Sequence, residues 1–219
     1  VSSRPHWVRG FHTWMLGLAS QWMGVSGLHA NSVAPVLVSR EQGRRKSSFC
    51  RALMPDVLAR YYTDNLKLTS QGQAERMLAE MGLLNMDEFD KYAESKMPLL
   101  KNLMQMSVLN IRKAYQQNFR QLPRIASFIG TSNRFDLLTD PTGSRRFLCI
   151  EVKHDIDCTG IEHDRIFAQL KAELIAGRRS WFTKSEEEEL QRHNEAFYRV
   201  SLAEEAVRSL FRAPLPAEK

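Results

Sequence analysis

Cysteine is scarce in this sequence of 219 residues, and the few that occur are scattered. None of the three belongs to a C-x-x-C pair or has a histidine at metal-binding spacing; they are Cys50, Cys149 and Cys158. This spacing excludes a disulfide framework or a zinc-finger site, and it favours reduced thiols in a cytoplasmic protein. Cys50 and Cys149 have apolar neighbours and are predicted to be buried.

Long apolar runs are lacking as well. The stretch from residue 11 to residue 23 is hydrophobic, but His12, Ser20 and Gln21 interrupt it. It is also shorter than the roughly 20 apolar residues that a membrane span needs, so we expect a core helix and no membrane association. The chain begins with Val1 rather than methionine, and we therefore expect it to be part of a longer protein.

Acidic residues are outnumbered by basic ones, 25 against 31, which gives a formal net charge of +6 and an isoelectric point near 9.4. This balance favours a polyanionic partner such as a nucleic acid. A hydrophobic content of 43% with 26% charged residues is typical of a globular protein rather than a disordered one.

Short apolar runs alternate with helical patterns along the chain, which predicts an α/β fold with a mostly parallel sheet flanked by helices. Strands are predicted at residues 32–39, 83–86, 125–133 and 145–152, and helices at 11–23, 47–53, 74–81, 95–106 and 161–176. Ser185 and Glu188 have capping-box spacing, and two helices are expected between residues 184 and 212. The predicted organisation is an N-terminal helical segment (1–30), a core domain (31–180) and a C-terminal helical appendage (181–219).

The loop after the first predicted strand resembles the end of a phosphate-binding loop, because Lys46 and Ser47 follow it directly. In such loops the lysine reaches the terminal phosphates and the hydroxyl holds Mg²⁺. Arg40 and Arg45 occupy the two positions where glycine is usual, although Gly43 lies between them. A non-glycine residue forced into the left-handed conformation costs roughly 1–2 kcal/mol. The match is therefore equally compatible with a working loop and with a basic surface turn.

Polar residues also follow two further strands, and ligands gather at the carboxyl ends of parallel strands. Asp87 and Glu88 could hold Mg²⁺ and polarise a water, or could be solvated carboxylates at the start of a helix. Asn133 could contact a γ-phosphate, or could simply end its strand. Arg145 and Arg146 could act as an arginine finger toward another subunit, or could pair with surface carboxylates.

Five segments together resemble the virulence-associated protein E family of bacterial mobile elements and phages. They are "VLVSREQGRRKSSF", "YYTD", "LLNMDEFD", "RIASFIGTSN" and "DPTGSRRF". That family is similar to superfamily 3 helicases and AAA+ ATPases, so the resemblance implies a P-loop NTPase core that takes ATP and Mg²⁺. The loop is where this sequence departs from the pattern.

The resemblance also implies roles for individual residues. Lys46, Ser47 and Ser48, with Gly43 and Arg45 in the loop, would bind the nucleotide. Mg²⁺ would be held by Ser47 and Asp87. Catalysis would fall to Glu88, to Asn133 as a sensor and to Arg145 or Arg146 as a finger acting between subunits.

Between the acidic strand and the sensor strand, superfamily 3 proteins project a hairpin that grips DNA. Here that interval is basic and aromatic, and it predicts contacts with single-stranded DNA by Arg112, Lys113, Tyr115 and Arg120. Phe119 and Arg124 lie in the same interval. The other interpretation is a solvated basic loop with its aromatic residues packed beneath it.

Three functions follow from these patterns. The first is a DNA-dependent ATPase that works as a homo-oligomeric ring with a primase domain or partner. The second is a nucleic-acid-binding module whose phosphate loop has degenerated. The third is an adaptor that recruits a replication partner through residues 184–212.

Overall fold

The computed structural model describes residues 1–199 and 210, with the exception of 26, 28, 69 and 113–117. Its centre is a sheet of five strands, which are β1 (Ala34–Val38), β2 (Tyr62–Thr63), β3 (Leu83–Met86), β6 (Ser127–Ser132) and β7 (Phe147–Glu151). Their order in the sheet is β2-β3-β6-β1-β7, and every pairing is parallel. The predicted α/β class with a parallel sheet is confirmed.

Helices cover both faces of this sheet. They are α1 (Pro5–Trp22), α2 (Lys46–Ala52), α3 (Gln71–Glu80), α4 (Met97–Gln105), α5 (His163–Ile175) and α6 (Lys184–His193). Alternate residues of the strands enter two separate cores, as the period of two requires. In β1, for example, Val36 and Val38 pack among the residues of α3 and α4, whereas Leu37 packs among those of α1, α2 and α5.

The first helix is fixed to the sheet by side-chain hydrogen bonds as well as by apolar contact. The indole Nε1 of Trp14, which is fully buried, donates to the carbonyl of Phe128 in β6 at 3.1 Å. Gln21 donates to the carbonyl of Ala126 at 2.8 Å, just before the same strand. Within the described ranges, no helix is long and apolar enough to cross a membrane.

The boundaries differ from the sequence prediction in a few places. β2 was not predicted, because a strand of two residues has too little pattern to be recognised. β7 begins at Phe147 rather than at residue 145, since Pro141–Arg146 form a 3₁₀ helix that places both arginines before the strand. The capping box at α6 is formed by Thr183 and Glu186, not by Ser185 and Glu188.

A two-stranded antiparallel hairpin stands apart from the sheet, in the interval where the family resemblance implies one. It consists of β4 (Val108–Arg112) and β5 (Phe119–Pro123). After α6 the chain forms one further 3₁₀ turn, Asn194–Phe197. Of the second helix predicted before residue 212, positions 200–209, 211 and 212 lie outside the described residues.

Candidate functional site

The loop that connects β1 to α2 contains two residues in the left-handed conformation. Gly43 has φ 82°, and Arg45, the residue before α2, has φ 58° and ψ 26°. Arg40 does not share this conformation, since the described non-glycine residues with positive φ are Arg45 and Glu88. Of the two arginines that stand in place of glycine, only Arg45 therefore bears a conformational cost.

We expect Arg45→Gly to raise the free energy of unfolding by about 1 kcal/mol, because glycine removes the left-handed penalty but adds some entropy to the unfolded chain. Urea unfolding of the variant and the parent chain measures the difference. Arg44→Gly is the control, since Arg44 pairs with Glu41 and Asp155 and its loss should destabilise. A less stable Arg45→Gly variant would contradict the prediction.

Lys46 begins α2 and turns its side chain back over the end of the sheet. Its ammonium Nζ donates to Ser39 Oγ at 2.5 Å and to Asn133 Oδ1 at 2.8 Å, and the residue is only 7% exposed. Burial holds the pKa of Lys46 below its ordinary value, and the nearby carboxylates of Asp87 and Asp90 offset this only in part. The result is a cation held between the loop after β1 and the residue after β6.

Asp87 follows β3 and accepts two hydroxyl hydrogen bonds on a single oxygen. Ser47 Oγ donates to Asp87 Oδ1 at 2.8 Å, and Thr131 Oγ1 in β6 donates to the same atom at 2.6 Å. Ser47 and Asp87 are exposed, so this cluster faces solvent. Lys46, Ser47, Asp87 and Asn133, which are distant in sequence, thus meet at the carboxyl ends of β1, β3 and β6.

Glu88 is the second residue with a strained backbone, with φ 51° and ψ 50°. Its N–H donates to Thr131 Oγ1 at 3.3 Å, and its carboxylate pairs with Lys91 at 2.7 Å. Left-handed non-glycine residues cluster at functional sites, where surrounding contacts hold them in place. Both such residues among those described, Arg45 and Glu88, border the Lys46–Asp87 cluster.

Two hydroxyl residues at this site were not singled out by sequence reasoning. Ser39 Oγ accepts a hydrogen bond from the Lys46 ammonium. Thr131 Oγ1 donates to the Asp87 carboxylate and accepts from the backbone N–H of Glu88. Each stands at the carboxyl end of an apolar strand, which was the available signal. Small hydroxyl residues are common at such positions, so the signal is weak.

Arg145 and Arg146 lie at the opposite end of the sheet. They precede Phe147, which pairs with Ala34 at the start of β1. Lys46, in contrast, follows the loop that leaves the other end of β1. The length of β1 separates them by roughly 13 Å at about 3.3 Å per residue. Arg145 pairs with Glu187 at 3.5 Å, and burial lowers the pKa of the half-buried Arg146.

The predicted nucleic-acid residues are only partly described. Lys113 and Tyr115 lie outside the described residues, and so does the side chain of Arg112, whose backbone pairs with Phe119. Arg120 is exposed on β5, and the neighbouring Phe119 is 66% exposed, so the alternative interpretation that this ring packs beneath the hairpin is wrong.

Arg124, although it belongs to the same basic stretch, is a core residue. It is 2% exposed and donates to the carbonyls of residues before β1, at the end of α4 and before β6: Asn31, Leu103, Met104, Met106 and Ala126. Its guanidinium also lies 5.0 Å from the centre of the Phe128 ring. These contacts exclude Arg124 from binding DNA.

The oxygen atoms of this site suit Mg²⁺ chemically. Ser47 and Asp87 offer a hydroxyl and a carboxylate, which are the hard ligands that Mg²⁺ prefers. In the part of the chain that the structure describes, no group of three or more His, Cys, Asp or Glu residues is placed to hold a metal ion.

A family model for the virulence-associated protein E-like domain matches residues 9–199. The chain belongs to this family. The match spans the site and every strand and helix described here except the first turn of α1. None of the curated proteins matches the chain.

Solved structures similar to this VapE-like chain include two of the C-terminal region of NrS-1. The apo structure of NrS-1 residues 305–718 is 16% identical, with a TM-score of 0.49, and the match covers 93% of this chain and 47% of that one. The A form of the same region is 17% identical, with a TM-score of 0.46 and coverage of 90% and 44%. The VapE-like chain spans about half the length of these structures.

Proposed function

We propose that this chain is the ATP-hydrolysing, helicase-like motor domain of a replication protein from a mobile element or phage, and that it acts on single-stranded DNA. The observation that supports the proposal most is the meeting of Lys46, Ser47, Asp87 and Asn133 at one edge of the sheet. A lysine, a hydroxyl, a carboxylate and an amide are the groups that ATP-hydrolysing enzymes place around the terminal phosphates and Mg²⁺.

Each residue then has a defined task. Lys46 would exchange its bonds to Ser39 and Asn133 for bonds to the terminal phosphates, and Asn133 would contact the γ-phosphate. Ser47 and Asp87 would hold Mg²⁺. Glu88 would orient the attacking water, and the backbone around the phosphates would come from three residues of the loop and helix: Gly43, Arg45 and Ser48.

Two further features concern assembly and DNA. Arg145 and Arg146 lie too far from Lys46 to serve the same chain, which favours a homo-oligomeric ring in which they reach a neighbouring chain's phosphates. Exposed Arg120 and Phe119 would contact DNA by neutralising phosphates and stacking on a base. The primase that would work with this motor would be a further domain of the same protein or a separate partner.

The proposal is tested by Mg·ATP calorimetry and by an ATPase assay with and without single-stranded DNA. We expect Lys46→Ala to weaken Mg·ATP binding by about 10–100-fold, since it removes a charge-assisted hydrogen bond, and to abolish turnover. Lys171→Ala is the control, because Lys171 is an exposed lysine on α5 that belongs neither to the loop nor to the site. Equal binding and turnover in the parent chain and in Lys46→Ala would overturn the proposal.

A second candidate is a nucleic-acid-binding module without nucleotide turnover. It is favoured by the internal hydrogen bonds of Lys46, which already occupy two of the three N–H donors of its ammonium, and by arginine in the left-handed position before α2. Calorimetry separates the two, because this candidate predicts DNA binding that is unaffected by Lys46→Ala and no micromolar affinity for Mg·ATP.

A further inference from the structure

A cleft of about 720 Å³ opens beside the amino-terminal turn of α2. Its volume lies within the range of roughly 300–1,000 Å³ that small-molecule sites occupy. Its lining includes Ser47, Ser48 and Arg51 of α2 and the segment before α5. Further lining residues are Met54, Asp56, Ala59, Asp64, Cys158 and Ile161.

The position of Lys46 indicates which part of a nucleotide this cleft would hold, an argument that depends on the function proposed above. The Lys46 ammonium contacts Ser39 and Asn133, so the terminal phosphates belong at that end of the loop. A second cleft, of about 360 Å³, adjoins Ser39 and is therefore at the terminal-phosphate end. The larger cleft begins at Ser47 and Ser48, where the remainder of the nucleotide would leave the loop.

The chemistry of the larger cleft suits a nucleoside. Asp64 is half-exposed, and Arg51 Nη2 donates to its Oδ2 at 2.9 Å. Its other oxygen accepts no hydrogen bond from a described residue, so it is available to a hydroxyl donor such as that of a ribose. Met54, Cys158 and Ile161 provide apolar atoms against which a base can pack.

We infer that this cleft holds the nucleoside of the bound triphosphate and that Asp64 accepts a hydrogen bond from the ribose 2′-hydroxyl. Asp64 is then a specificity-determining residue that selects ribonucleoside triphosphates over their 2′-deoxy counterparts. Such selection matters for a protein that works beside DNA synthesis, where both kinds of triphosphate are present.

Calorimetry of the full chain with Mg²⁺ and ATP, 2′-deoxy-ATP or inorganic tripolyphosphate tests this inference. We expect the parent chain to bind ATP about tenfold more tightly than 2′-deoxy-ATP, the size of one hydrogen bond to a charged acceptor. Asp64→Ala should bind the two nucleotides with equal affinity, and it should bind tripolyphosphate as tightly as the parent chain does. Asp56→Ala, a change to another carboxylate of the same cleft, should keep the preference for ATP over 2′-deoxy-ATP.

The location of the nucleoside is tested separately by Ala59→Trp, which fills the cleft from an exposed position. It should weaken the binding of ATP by tenfold or more and leave the binding of tripolyphosphate unchanged. Thermal unfolding checks that each variant is folded.

The role of Asp64 would be overturned by equal affinity of the parent chain for ATP and 2′-deoxy-ATP. It would also be overturned by a preference for ATP that survives Asp64→Ala or disappears in Asp56→Ala. Unchanged ATP affinity in Ala59→Trp would overturn the location. Failure of the parent chain to bind even tripolyphosphate would instead count against the proposed function, and the inference would fall with it.

Discussion

Replacing Arg124 by alanine should lower the free energy of unfolding by about 3–5 kcal/mol or prevent folding altogether. The guanidinium is buried and donates to carbonyls from three separate parts of the chain, including Asn31, Met104 and Ala126. Alanine would remove this donor from the buried carbonyls of Asn31 and Met104, while that of Ala126 keeps its hydrogen bond from Gln21, and each group left unsatisfied costs about 1–3 kcal/mol. Chemical denaturation measures the loss.

The matched control for this prediction is Arg120→Ala, four residues earlier on β5. Arg120 is exposed, and surface substitutions of this kind usually change stability by no more than about 0.5 kcal/mol. A difference of less than about 1 kcal/mol between the two variants would mean that the Arg124 contacts are dispensable. Arg120→Ala should instead weaken binding to single-stranded DNA, an effect that grows at low salt.

Replacing Glu88 by glutamine should reduce the rate of ATP hydrolysis by about 10²–10⁴-fold, the usual contribution of a general base. Binding of Mg·ATP should change little, because glutamine keeps the size of the side chain, and in the proposed site Lys46, Ser47 and Asp87 hold the phosphates and Mg²⁺. Steady-state turnover and calorimetry on the same preparation separate the two effects.

Glu94→Gln is the control for Glu88→Gln, since Glu94 is an exposed carboxylate that lies in the next 3₁₀ turn and pairs with Arg199. Turnover should be unchanged in this variant. If both variants hydrolyse ATP at the parent rate, Glu88 is not the base. Equal loss of binding and turnover in Glu88→Gln would assign it to nucleotide binding instead.

The part of the fold that sequence predicts well is the part with a strong local pattern. β1, β3 and β6 are buried apolar runs bounded by polar residues, and each was predicted within a few positions. β2 has two residues and owes its place to pairing with β3, which no local pattern encodes. The capping box was misplaced by two residues because Thr183 and Ser185 are both suitable N-cap residues, and only the packing of α6 decides between them.

The candidate site, like the fold, has a part that the sequence predicts and a part that it does not. The convergence of Lys46, Asp87 and Asn133 could be predicted because parallel strands bring their carboxyl ends to one edge. The bonds of Ser39 and Thr131 depend on side-chain distances of a few ångströms, which the order of residues does not determine. Arg124 could not be separated from Arg120 either, since burial depends on how the hairpin meets α4.

Arg145 and Arg146 lie just before β7, at the end of the sheet opposite Lys46, and this position has a kinetic consequence. If they complete the hydrolytic centre, that centre is shared by two copies of the chain, and dilution should disperse it faster than any chain unfolds. Specific activity would then rise with protein concentration and level off only once every molecule has a neighbour, so a sample too dilute to assemble would look inert while each molecule remained intact.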